Sequence, residues 1–124
     1  MLLVLAVSLG GAAGALSRYG LDRLIEHHLL TVFPWSTFVI NITGCFAAGL
    51  AVAMLVDRHD VPSWVRTGVV VGFLGAYTTF STFAQETHDL FSEGHAALGI
   101  ADAAGSIVVG VLAVVAGISL GRTL

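Results

Sequence analysis

An all-α integral membrane fold with four transmembrane helices is predicted by three features of this sequence. Hydrophobic residues make up 56% of its 124 residues and charged residues only 10%, where a soluble domain would carry about 25% charge; the mean hydropathy is +0.93. Four apolar runs, at residues 2–19, 35–56, 64–83 and 97–121, have the roughly 20-residue length that a hydrocarbon core about 30 Å thick demands of a helix. Polar residues gather between these runs. Together the runs make one membrane domain over residues 1–124, with nothing to suggest a second.

The first run, MLLVLAVSLGGAAGALS, has the leucine-rich stretch and small-residue cluster of a signal peptide. No positive charge precedes it and Arg18 follows it, so a retained first helix is expected. The second and third runs start beside Pro34 with Trp35 and Pro62 with Trp64, as interfacial aromatics and helix-initiating prolines do. The third run ends in GFLGAYTTFSTF, Gly72 to Phe83, which sets two glycines and three threonines in apolar surroundings. A continuous helix has no need of them, and unwound backbone at membrane depth survives only when buried in protein or lining a cavity. The third helix is therefore expected to break near residues 75–79, at a functional site. The fourth run carries Asp102 one or two turns in. Three connections remain: a polar one with Asp22, Arg23, Glu26, His27 and His28, the short DRHDVPS, and an acidic one with Glu86, His88, Asp89, Glu93 and His95.

Four spans place Arg18 and Arg23 on one side of the membrane and Arg58, Arg66 and Arg122 on the other. One arginine of difference is a weak orientation signal. It fits a chain that inserts both ways, which invites an antiparallel dimer, and it equally fits chance. Small-residue pairs four apart, Gly10 with Gly14, Gly44 with Ala48, Gly68 with Gly72 and Gly117 with Gly121, allow close helix approach, although glycine is also simply common in membrane helices.

Thr37, Asn41 and Gly44 form one polar or small stripe on the second helix. Asn41 is either interhelical glue or a ligand contact. Phe80 and Phe83 share a face, with Ser81 and Thr82 off it; such a pair serves packing, or offers electropositive ring edges to a small anion shedding water. Weak dipolar contacts in series let an ion bind and leave, as a buried cation would not. Arg18 can snorkel to the interface, and an ionisable Glu86 or Asp102 inside the membrane would be a functional candidate. Cys45, the single cysteine, packs as a small hydrophobe. The absence of lysine and of any basic patch excludes nucleic acid as a partner. No metal-ligand spacing, phosphate loop or nucleophile with base is evident, so an enzyme is not expected.

In GGAAGALSRY (Gly10 to Tyr19), PWSTFVINITGCFAAG (Pro34 to Gly49) and GFLGAYTTFSTF (Gly72 to Phe83), taken in that order on four spans, the chain resembles the small bacterial fluoride channels of the Fluc or CrcB family over nearly its whole length. The resemblance implies an antiparallel, dual-topology homodimer in the bacterial inner membrane, with two pores that passively export cytoplasmic fluoride and reject chloride. Its partners would be fluoride, a second copy and membrane lipid. By the same resemblance Asn41, Phe80 and Phe83 are pore residues, Ser81, Thr82 and Thr37 belong to the polar lining, and Arg18 and Glu86 support it. Backbone carbonyls of Gly75 and Thr78 would hold a structural sodium ion at the dimer interface. Ser36, Cys45 and Asp102 depart from the family pattern, Asp102 standing where relatives often have an aromatic hydroxyl. The alternative from another class is a proton-coupled exporter of the small multidrug resistance type. It needs a membrane carboxylate, usually in the first span; this first span has none before Asp22, which leaves Asp102. A non-transporting assembly subunit would leave Asn41 and the 72–83 motif without a task.

Overall fold

Four helices long and apolar enough to cross a membrane, Leu2–His28, Trp35–Val56, Ser63–Ser92 and Ala96–Gly121, make up nearly the whole chain. The computed structural model describes residues 1–58 and 60–124; His59, one of the histidines expected in a connection, lies outside them. We label the helices α1 (Leu2–His28), α2 (Trp35–Val56), α3 (63–77), α4 (Phe80–Ser92) and α5 (Ala96–Gly121). The last turn of α2, Val52–Val56, and the middle of α3, Gly68–Leu74, are wound as wider π turns.

Two segments expected to be connections are helical. The α1 helix continues nine residues past the predicted span end at Tyr19, because its polar tail is itself a good helix: Arg23 pairs with Glu26 at 3.3 Å, three residues on, and lies over the Tyr19 ring. It stops at Leu29, whose backbone is extended. Likewise α4 runs on past Phe83 to Ser92 with Leu90 buried and His88 exposed, so the acidic stretch is the solvated face of an amphipathic helix. The turn that follows is short. Gly94 adopts φ 85°, a left-handed conformation, and the His95 amide returns to the Leu90 carbonyl at 2.8 Å.

Glycines set the packing. Along α1, Gly10 and Gly14 face the carbonyls of Gly68 and Phe73 on α3 so closely that a Cβ would collide with them, and Gly72 meets Val7 in return. A second seam joins α2 to α5, with Gly49 on the Val114 carbonyl, Gly117 on the Phe46 carbonyl and Gly121 on Ala53 and Leu50. Membrane helices gain nothing from the hydrophobic effect against lipid, so backbones in contact supply the dispersion energy instead. The small-residue pairs at Gly10/Gly14, Gly68/Gly72 and Gly117/Gly121 are thus spent on contacts within the chain. Leucines, isoleucines and valines such as Leu5, Leu16, Ile107 and Leu112 point outward, the reverse of a soluble protein and the arrangement lipid requires.

Candidate functional site

The break lies at Thr78 and Thr79, the only extended residues between α3 and α4 (φ −81°, ψ 158° and φ −147°, ψ 109°). Gly75, expected at the break, is still helical (φ −63°, ψ −30°), and Gly72 is buried against α1. Threonine makes the break for two reasons. A β-branched side chain favours extended backbone, and its hydroxyl can replace a lost helical partner. Thr78 closes α3 by directing both its amide (3.1 Å) and its hydroxyl (3.0 Å) to the Leu74 carbonyl. Thr79 caps α4: its hydroxyl accepts from the Thr82 amide at 3.3 Å and donates to the Thr82 hydroxyl at 2.8 Å.

Asn41 on α2 holds the break from outside. Its Oδ1 accepts the Thr79 N–H at 2.9 Å and its Nδ2 donates to the Thr79 carbonyl at 3.0 Å. A primary amide carries one acceptor and one donor side by side, so it satisfies both orphaned backbone groups of one extended residue; each left unmet would cost about 1–3 kcal/mol. The second Nδ2 hydrogen has no partner among the described residues. Gly44, one turn along α2, lets the Thr78 methyl and the Tyr77 ring come close, and the Tyr77 hydroxyl meets Thr43 Oγ1 at 2.8 Å. Because the Thr43 hydroxyl already donates to the Val39 carbonyl at 2.7 Å, Tyr77 is the donor.

Beside this bracket lies a cavity of about 460 Å³, lined among others by Asn41, Gly75, Thr78, Phe80, Phe83 and Ser106. Its walls are mainly apolar. Phe80 is 79% exposed in the single chain, and its ring centroid is 5.7 Å from that of Phe83. Thr82 lies on the other side of the bracket, where it shares a cavity of about 270 Å³ with Thr79, Arg18 and Asp22. Ser81 is exposed and borders neither cavity. Thr37 is buried and lies within reach of the Glu86 carboxylate. Glu86 in turn borders a small pocket of about 110 Å³ with Ser36 and Thr31, and its Oε2 is sealed from solvent with no hydrogen-bond partner among the described residues. Apart from Ser81, the candidate residues thus fall into three groups: Asn41, Gly75, Thr78, Phe80 and Phe83 at one cavity, Thr82 and Arg18 at a second, and Thr37 with Glu86.

A fourth group escaped the sequence reading as a unit. Asp102 on α5 is 1% exposed; its Oδ2 accepts from the Thr87 hydroxyl at 2.7 Å and its Oδ1 from the Ser106 hydroxyl at 3.3 Å. The usable signal was Asp102 and Ser106 four apart on an otherwise apolar helix, the same signature that marked Thr37 and Asn41.

A family model described as CrcB-like protein, Camphor Resistance (CrcB), matches residues 5–118 of this chain. Similar curated proteins carry the name Fluoride-specific ion channel FluC. That of Solibacter usitatus is 43% identical over 118 residues, covering 95% of this chain and 97% of its own. That of Acidobacterium capsulatum is 44% identical over 117 residues, 94% of this chain and 93% of its own, and that of Pseudomonas fluorescens 42% over 118 residues, 95% of each.

Proposed function

This chain belongs to the CrcB family and is a multi-pass bacterial membrane protein, and from that premise we propose that it is a passive, fluoride-selective channel that lets cytoplasmic fluoride out. The observation that carries the reading is the cavity at the helix break, where Asn41, Phe80, Phe83 and Ser106 converge. The groups there that can face an anion are weak and uncharged: the second hydrogen of the Asn41 amide and the edges of the two rings, with the Ser106 hydroxyl beside them turning its own proton to Asp102. The start of α4 adds the uncapped amides of its first turn and the positive end of its dipole. Such a set replaces part of an anion's hydration without trapping it, as conduction requires. Thr82 and Arg18 form the approach from the α1 side, and Thr37 and Glu86 line the route beyond the rings; Ser81 joins the lining only on a face that a second copy would close.

The working unit in this reading is an antiparallel dual-topology homodimer with two pores. The cavity stands open at the outer surface of one chain; its few polar groups, such as the Asn41 amide, are what hydrocarbon would penalise and a second copy would cover. A sodium ion fits the same assembly. The last turn of α3 ends in carbonyls without helical partners, Thr78 turns its hydroxyl inward to Leu74, and Gly75 is exposed with no side chain in the way. Carbonyl oxygens of Gly75 and Thr78 from two facing breaks would make a hard, four-oxygen set suited to a monovalent cation. When bound, the ion supplies fixed positive charge that pins the interface.

The exporter alternative lacks such support. Its embedded carboxylate would have to be Asp102, which two hydroxyls hold within the bundle, and the relatives are named as channels. The deciding experiment is fluoride efflux from liposomes carrying the purified protein, beside chloride efflux under the same potassium gradient with ionophore. Rapid fluoride release with negligible chloride release is expected; folded protein that releases no fluoride overturns the reading.

A further inference from the structure

We propose that Tyr77 is a positioning residue for cation binding: clamped to α2 through its hydroxyl, it holds the last turn of α3 in the shape in which the Gly75 and Thr78 carbonyls can take a sodium ion. This rests on the sodium-bridged dimer proposed above. The turn has little hold of its own. Gly75–Tyr77 is a single α turn between the π-wound Gly68–Leu74 and the extended Thr78; it begins on a glycine, and so short a helical piece is marginal without contacts from outside. Among the described residues no turn, loop or cap hydrogen bond ends on the Gly75 or Thr78 carbonyl. Both oxygens therefore call for a partner.

Tyr77 is fixed on three sides. Its ring stacks on Phe73 one turn back, with centroids 5.8 Å apart and planes 9° from parallel. Gly44 of α2 has no side chain to keep the ring edge or the Thr78 methyl away. The Tyr77 hydroxyl donates to Thr43 Oγ1 at 2.8 Å, and the Thr43 hydroxyl is tied back to the Val39 and Ile40 carbonyls of its own helix at 2.7 and 3.1 Å. The acceptor is thus held by the α2 backbone. With Thr79 bracketed by Asn41, residues 77, 78 and 79 each dock on the single turn of α2 at 41–44. Tyr77 lies between Gly75 and Thr78 in the chain, so its anchor fixes the peptide units on either side, while the Thr78 hydroxyl bonds only back to Leu74 of α3.

An anchor of this kind matters most for a site made of carbonyls. Oxygens that converge repel one another, so an unheld turn drifts to shapes in which they diverge, and the apparent affinity for a cation falls with the fraction of chains still in the competent shape. With the clamp in place the ordering is done on folding, before any ion arrives. The bond is suited to this setting: Thr43 is exposed in the single chain and Tyr77 half-buried, so the pair lies toward lipid or a second copy, where water does not compete for the hydroxyls.

The test is the thermal unfolding midpoint of the solubilised protein against sodium concentration, with choline replacing sodium at constant ionic strength and atomic emission used to verify that the starting protein carries none. Wild type should gain stability along a saturating curve. Tyr77→Phe removes the hydroxyl and keeps the ring, and should need about fivefold more sodium for half the gain. Thr43→Val should do the same, and Thr43→Ser, which keeps the acceptor, should match wild type. A bond that merely anchors α3 on α2 would lower the whole curve and leave its half-saturation point in place. An unmoved point in Tyr77→Phe and Thr43→Val, or a shift in Thr43→Ser as large as in Thr43→Val, therefore overturns the proposal while the sodium reading stands. Sodium-free wild-type protein whose stability ignores added sodium removes the sodium reading and the proposal with it.

Discussion

The two glycine seams and the helix break both bring chain segments into contact inside a membrane, by opposite means. At the seams, α1 on α3 and α2 on α5, side chains are deleted until backbones touch, and what remains is dry and close-packed. At the break a helix is interrupted, and its loose ends are returned to hydrogen-bonded partners one at a time by Asn41, Thr79 and Thr78. The seams leave no space; the break leaves cavities on both sides. Close packing is concentrated at the seams, while the break keeps polar groups beside open space.

The sharpest way to break this contrast is to add atoms at a seam. Gly14→Leu or Gly117→Val drives a side chain into the Phe73 or Phe46 carbonyl, and a destabilisation of about 3 kcal/mol or more is expected, seen as loss of monodisperse protein in detergent. Gly20→Ala meets nothing within 4 Å and should be silent; seam variants as heat-stable as Gly20→Ala would mean the helices can part without cost. Next in size is the bracket. Asn41→Ala strands both Thr79 groups at about 1–3 kcal/mol each, and fluoride flux per folded protein should fall more than tenfold. Asn41→Asp keeps an acceptor for the Thr79 N–H but sets a carboxylate oxygen against the Thr79 carbonyl and adds a negative charge to the cavity. Its flux should fall at least as far, and undiminished flux in folded Asn41→Asp would exclude Asn41 from the pore.

A third experiment separates packing from conduction on the break side. Phe80 is largely exposed in the single chain, so Phe80→Ile should leave the chain's thermal stability within about 1 kcal/mol of wild type while lowering fluoride flux about tenfold if ring edges carry the ion. Phe83→Ile is half-buried and should cost up to about 1.5 kcal/mol as a near volume-conserving swap. Unchanged flux in both would return the pair to a packing role and leave the Asn41 amide as the cavity's candidate anion donor.

The four helices were legible because apolar length and the Pro-Trp starts are local signals, and the break was legible because Thr78 and Thr79 are poor company for a helix. What could not be read needed partners distant in the chain. Asn41 stood out in its stripe, but its partner lies 38 residues away, so glue and ligand could not be told apart, and in the structure the glue is evident. Gly72 and Gly75 suggested an unwound backbone, yet Gly72 serves the α1 seam and Gly75 stays helical, since a glycine's purpose depends on what faces it. The helix ends at His28 and Ser92 were hidden because charged residues that look like loops also make solvated helical faces. Asp102 was visible as an acid in an apolar run, but its burial depends on Thr87 from another helix.

The smallest expected effects sharpen the comparison most, because they test hydroxyls rather than scaffold. Thr82→Val removes the acceptor of the Thr79 hydroxyl but keeps the backbone amide that Thr79 caps, so the break should persist at a cost of about 1 kcal/mol. Flux should then fall only a few-fold, by loss of one donor on the Arg18 side. Ser81→Ala touches no side-chain hydrogen bond among the described residues and borders neither cavity in the single chain, and should leave flux unchanged. The order of the two separates the sources of the pore wall. A greater loss from Ser81→Ala than from Thr82→Val would put the ion on the outer face of α4, where a second copy supplies the opposite wall, and would move the conducting path from the cavity within the chain to the surface between two.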